Sequence, residues 1–458
     1  MPFTGWSSGP SCLDGVLHHA HAPLAPGDPQ SAQLAAARAT AHHGPSAPGP
    51  RAGTALCLSG GGFRAALFHL GAVRRLNELG ILGRLRTISA VSGGALVANL
   101  LADPRLGWPD PHGPAAPVLG FEEYVAGPLR RLSGRNLRTP ALLSRVRPSG
   151  WAKPSASVDS LAEQLAVAVP WWSSDLRETD RGGPVILTSA TEIGYGVSWV
   201  FADSRSIGPR GRIGDHRLGY AAPPPGLRVA DAVAASCAYP PFFPPMELDG
   251  RGLGLQGGVP DPAEPAQARE GLLARIQLAD GGIYDNLGVE PVWSDHRAVL
   301  VSDGGAVFRS RPAGSFVGRL LHTLSIAGSG QHTTRLRWLR ASSSAGILQG
   351  ATWSLESTNT VSPVPGHGPA PGDHTAYPPD LVDQINQVRT DLDAFRPTEQ
   401  RVLERHGYAV ADASVDRHSP QLVARAAPFD PPHPQVADPA SVRLELRGSA
   451  QVRAFGRR

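Results

Sequence analysis

Lysine is almost missing from this 458-residue chain. Lys153 stands alone, and arginine supplies the other 42 of its 43 basic residues. With Gly 53 and Pro 45, that usage fits a GC-rich bacterial genome better than a functional choice. Against 39 acidic residues the formal net charge is only +4. That is too little over this length for a dedicated nucleic-acid binder, so no nucleic-acid partner is expected. Cysteine is scarce too. Cys12, Cys57 and Cys237 share no metal-ligand spacing and make no disulfide framework, and neither a metal nor an organic cofactor is expected. Cys57 and Cys237 lie in apolar runs and read as small core residues. No stretch reaches the ~18 apolar residues of a membrane span. The opening MPFTGWSSGPSCLDG has neither the basic start nor the apolar segment of a secretory signal. The expected location is cytoplasmic, with peripheral contact at a membrane.

What the chain does have is alternation. Strand-like runs recur at Thr54–Leu58, Leu85–Val91, Pro184–Ala190, Arg275–Asp280 and Arg297–Asp303, and helical patterns separate several of them. This predicts an α/β fold with a mainly parallel sheet and helices on its faces. Residues 1–50, rich in Ala, Pro, His and Gly, are expected to be a disordered tail. Residues 51–424 form the expected catalytic domain, and 425–458 a Pro-rich basic tail. Residues 258–270 and Val361–Pro378 read as loops.

Two turns carry the chemistry. In LSGGGFRAA, Gly60, Gly61, Gly62 and Arg64 join the first strand to a helix whose apolar residues recur from Phe63 to Leu76. Amides exposed on such a turn hold negative charge, either a phosphate or the oxyanion of an acyl transfer. The G-x-x-x-x-G-K-[ST] pattern is absent, which disfavours nucleotide. The second turn, AVSGG, places Ser92 between a strand and an apolar helix, the layout of a nucleophile elbow, although Ala90 stands where the usual GxSxG has glycine. A serine needs a base. His69 lies within the first motif but reads as a partly buried, satisfied residue. Asp280 and Asp303 each end a strand and precede a glycine pair, and either could approach the serine from the sheet's carboxyl edge. Burial would raise such a carboxyl from ~3.9 toward a useful base.

Together SGGGFR (Ser59–Arg64), AVSGG (Ala90–Gly94), VADAVAASCAYPPFFPP (Val229–Pro245) and DGGIYDN (Asp280–Asn286) resemble the patatin-like phospholipases. The resemblance spans about Gly53 to Ala306, and Arg389–Tyr408 is similar to the closing helices of bacterial members. It implies a three-layer α/β/α fold and a Ser–Asp dyad without histidine. Carried over by position, Ser92 is the nucleophile and Asp280 the base. Asp280 is favoured over Asp303 because it alone has the Tyr284–Gly288 continuation. Gly61 and Gly62, in a turn begun by Gly60 and helped by Arg64, would form the oxyanion hole. Ala65 stands where many members have glycine. The implied substrate is a fatty-acyl ester of a phospholipid or related lipid. A histidine-dependent esterase using His69, and a lipid-binding protein that keeps the pocket without turnover, are the alternatives. Tyr124–Arg147, with six arginines and no acid, is read either as a contact with an anionic membrane or lid, or as a solvated cover.

Overall fold

The structure, a computed structural model, describes residues 51–144, 155–178, 182–203, 212–259, 265–305, 316–358 and 377–450. The expected N-terminal tail and most of the 361–378 loop lie outside these residues.

The five runs read as strands all become strands: β1 (Thr54–Leu58), β2 (Thr87–Val91), β3 (Val185–Glu192), β8 (Ile276–Asp280) and β9 (Ala298–Asp303). Their side chains are almost wholly buried. Strands covered on both faces read as continuous apolar runs, which is why the sequence reveals them. Five further strands were not read: β4 (Val197–Ala202), β5 (Arg212–Asp215), β6 (Gly219–Ala221), β7 (Met246–Leu248) and β10 (Thr352–Ser354). The sheet runs β10-β9-β1-β2-β3-β4-β5-β6. Its first five strands are parallel, and from β3 outward the pairing becomes antiparallel. The sheet is therefore mixed, of mostly parallel strands.

Helices cover both faces. The described ones used below are α1 (Gly62–Glu78), α2 (Gly93–Leu101), α3 (Gly127–Ser133), α4 (Arg138–Leu143), α5 (Ala156–Ala168), α6 (Val229–Ser236), α7 (Ala266–Ala274), α8 (Phe316–Ser344), α9 (Pro379–Asn386), α10 (Pro397–His418) and α11 (Pro439–Glu445). Alternate residues of β1 enter two separate cores. Leu56 and Leu58 pack with residues of α1, α2 and α10 such as Leu67, Leu96 and Leu403. Ala55 and Cys57 pack with Leu287, Val292 and Leu339 of the opposite layer. That alternation makes the three layers. It also bears out Cys57 as a small core residue; Cys237 is likewise buried.

Two expectations change, and a third segment gains structure. Part of the 258–270 loop is helical, as α7 begins at Ala266. The described part of the expected C-terminal tail is packed: Val436, Val442 and Leu446 are buried, and Arg75 donates to the carbonyls of Ala427 and Pro428. Apolar residues spaced among prolines were enough to dock it. The arginine-rich stretch forms α3 and α4, where Arg130 binds the buried Glu404 and Arg138 pairs with Asp391. Those two arginines tie the segment to the fold, and Arg145 and Arg147 of the same stretch lie outside the described residues. Among the described residues, no helix is long and apolar enough to cross a membrane.

Candidate active site

Ser92 sits between β2 and α2 with φ 49° and ψ −116°. Among the described non-glycine residues only Ser92 and His433 have positive φ, a conformation that a side chain resists. The departure at Ala90 is harmless, since Ala90 lies within β2 and is not among the positive-φ residues. The Ser92 N–H donates to Ser236 Oγ at 2.8 Å. Its hydroxyl lies near the Asp280 carboxylate and the Cys237 thiol, close enough to influence the titration of both.

Asp280 ends β8, but β8 does not run with the parallel strands. It pairs antiparallel to β3, with Asp280 opposite Ala190. β3 continues beyond the end of β2, so β8 occupies the remainder of the same flank and arrives from the far side. The expected meeting at the carboxyl edge holds, and the direction of approach is corrected. Backbone bonds fix Asp280 on both sides: its N–H donates to the Ala238 carbonyl at 3.0 Å, and Thr191 Oγ1 donates to its carbonyl at 2.9 Å. The Gly282 N–H donates to Oδ1 at 2.8 Å. Burial pushes the carboxyl up to about 6, and the Gly282 and Ser92 hydrogen bonds pull the other way. A base of that strength is ionised at neutral pH yet accepts a proton more readily than a free aspartate.

The glycine turn lies against the serine. A β-carbon at Gly60 would stand 3.2 Å from Ser92 Cβ, and one at Gly93 would stand 2.1 Å from the Gly62 carbonyl oxygen. Only glycine allows the two turns to meet this closely. Gly61 and Gly62 have φ 141° and 59°, and their N–H groups meet no acceptor among the described residues. Gly60 is a correction: its N–H is spent on the Asn286 carbonyl at 3.0 Å. Arg64 is another. Its buried guanidinium donates to the carbonyls of Asn386, Val388, Gly304 and Gly305. It braces the turn between β9 and the closing segment and is not aimed at the serine. A turn with these donors already engaged is also a poor phosphate cradle, which disfavours the nucleotide reading.

His69 is buried as expected. One ring nitrogen lies 2.8 Å from Ser302 Oγ and the other 2.9 Å from the Ser59 carbonyl. Burial lowers its pKa to about 4. With both nitrogens engaged elsewhere, His69 is not placed to serve Ser92, which disfavours the histidine-dependent alternative. Asp303 takes the bland role: it accepts the Gly305 N–H at 3.0 Å and pairs with His332 at 2.9 Å. Trp172 is buried with its indole on the Asn99 carbonyl, and Trp171 packs against the core beside it. Sequence reasoning assigned no role to Ser236, whose contact with Ser92 no local spacing could announce. Among the described residues, no group of three or more His, Cys, Asp or Glu side chains could hold a metal ion.

Comparison with known proteins gives the following. A family model described as patatin-like phospholipase matches residues 56–114 and 215–293. No curated protein matches the sequence. Among solved structures, human GIVD cytosolic phospholipase A2 is similar at 15% identity and a TM-score of 0.41, covering 86% of this chain and 62% of that one. VipD from Legionella pneumophila is similar at 14% identity and a TM-score of 0.31, covering 81% and 67%. This chain thus spans less than two thirds of the phospholipase A2. The matched segments include Ser92, Asp280 and the glycine turn, and there the chain is similar to the patatin-like phospholipases, the resemblance its motifs carry.

Proposed function

We propose that this protein is a lipid acyl hydrolase that cleaves fatty-acyl esters through an acyl-serine intermediate, with Ser92 as nucleophile and Asp280 as its base. One observation carries the reading. A serine in a strained backbone conformation and a buried carboxyl with its pKa raised to about 6 stand at the facing ends of two strands, beside two amides without acceptors among the described residues.

Asp280 takes the hydroxyl proton as Ser92 Oγ attacks the ester carbonyl carbon. The carbonyl oxygen becomes an oxyanion, stabilised by the N–H groups of Gly61 and Gly62. The tetrahedral species collapses, the C–O bond to the alcohol breaks, and the proton on Asp280 passes to the leaving oxygen. Water then attacks the acyl-serine, giving its proton to Asp280. The second collapse releases the fatty acid, and Ser92 regains its proton. His69 has no part in this cycle.

The family match supports the substrate class, a lipid ester. The test is hydrolysis of a panel of phospholipids and neutral lipids by the wild type, Ser92→Ala and Asp280→Asn. Each variant should lose about a thousandfold or more in kcat while staying folded. An active Asp280→Asn protein would overturn the dyad. A wild type that cleaves no ester would favour a lipid-binding protein.

A further inference from the structure

From the contacts of the block Val229–Pro245 we infer that Ser236, at the end of α6, is a positioning residue that holds the nucleophile in its strained conformation. This rests on the reading of Ser92 as nucleophile. Ser236 is completely buried. Its Oγ accepts the Ser92 N–H at 2.8 Å and donates to the Ser189 carbonyl on β3 at 2.6 Å. One hydroxyl therefore accepts from the elbow and donates to the strand beside it. Among side chains this short, only a hydroxyl does both well.

Geometry makes the contact consequential. At φ 49° the Ser92 backbone is held against its own side chain's preference, and such strain persists only where the surroundings over-determine it. The Ser92 N–H is a principal tether there, since Val91 pairs with Ser189 in β3 and the chain then leaves the sheet. Two residues on, the Ala238 carbonyl accepts the Asp280 N–H at 3.0 Å. Residues 236–238 thus tie the end of β2, the middle of β3 and the end of β8 to one short segment. The amides of Ser92 and Asp280 are thus held by two residues only two positions apart, Ser236 and Ala238, although the strands that bear them come from distant parts of the sequence. Ser236 touches no reacting atom, and it acts through Ser92.

Replacing Ser236 by Ala removes the acceptor and the donor together, leaving a buried N–H and a buried carbonyl without their partner. Ser92 then relaxes, and its oxygen no longer meets Asp280 in the productive geometry. The test uses the full-length protein with a soluble ester and a fluorophosphonate probe, at temperatures well below the melting point of each variant. Ser236→Ala should lose about tenfold or more in kcat, with KM changed by less than about threefold, and probe labelling of Ser92 should slow in parallel. Ser236→Thr, which keeps the hydroxyl, should recover at least about threefold of that kcat. If Ser236→Ala does not fold, Ser236→Cys, similar in volume and a poor acceptor, takes its place with the same expectation. A purely structural role would lower the melting temperature and leave kcat per folded molecule unchanged. That result, or a loss confined to KM, or Thr no better than Ala, overturns the inference. Continued ester cleavage by Ser92→Ala would instead overturn the nucleophile assignment, so the two failures are distinguishable.

Discussion

Ser92 and Asp280 stand at the facing ends of two strands that share one flank of β3. Val91, just before the serine, pairs with Ser189, and Asp280 pairs with the next residue, Ala190. β2 climbs that flank and β8 descends it, so the two strand ends meet head-on. A single long strand is the ruler for the dyad, which explains how groups so far apart in the chain come together without help from a loop.

The raised pKa of Asp280 makes stability depend on pH with a definite sign. Its carboxyl rises from 3.8 to about 6 on folding, so the folded state binds that proton more tightly than the unfolded one. The contribution is favourable in acid and is lost as pH rises from about 4 to about 6, up to about 3 kcal/mol across the window. Asp280→Asn lacks this dependence. Between pH 4 and pH 8 the stability difference should shift toward the variant by an amount of that order, read by denaturant titration at both pH values. A difference that does not move with pH would show that the carboxyl is not desolvated.

Arg64 should behave as a brace. Its fork reaches carbonyls on two segments, a geometry that lysine cannot reproduce. Arg64→Lys should therefore lower the melting temperature and cut kcat about tenfold, although it keeps the charge. Full activity and unchanged melting in Arg64→Lys would return Arg64 to a role as a simple positive charge.

His69→Ala should separate stability from catalysis. The side chain is fully buried between Ser302 and the Ser59 carbonyl. Its loss should cost about 2–4 kcal/mol of stability through the cavity and the unpaired hydroxyl. The kcat of the folded fraction should stay within about tenfold of wild type. A loss as deep as that of Ser92→Ala would contradict the histidine-free cycle.

How much of this was legible depended on whether the signal was local. The strands β1, β2, β3, β8 and β9 were readable because they are buried on both faces and so run as apolar stretches. β5, β6, β7 and β10 are only three or four residues long, too short for a period to form. The glycine turn and the serine elbow could be read because both are strand-to-helix turns with their special residues in sequence. The sense of β8 could not, because strand direction is set by what lies beside it. Gly60 gives up its N–H to a carbonyl at Asn286, and Arg64 acts on carbonyls beyond residue 300, partners that no local spacing announces. The packed 425–450 segment was hidden by its prolines, which mark a tail in composition even where Val442 and Leu446 are buried.

The most direct measurement is the rate at which a fluorophosphonate probe labels the protein as a function of pH, with the labelled peptide mapped, in wild type and Asp280→Asn. The account predicts a single adduct on Ser92, forming at a rate that climbs through a pKa near 6 as Asp280 ionises and collapsing about a thousandfold in the variant. An adduct on another residue, or equal rates in the two proteins, would contradict it.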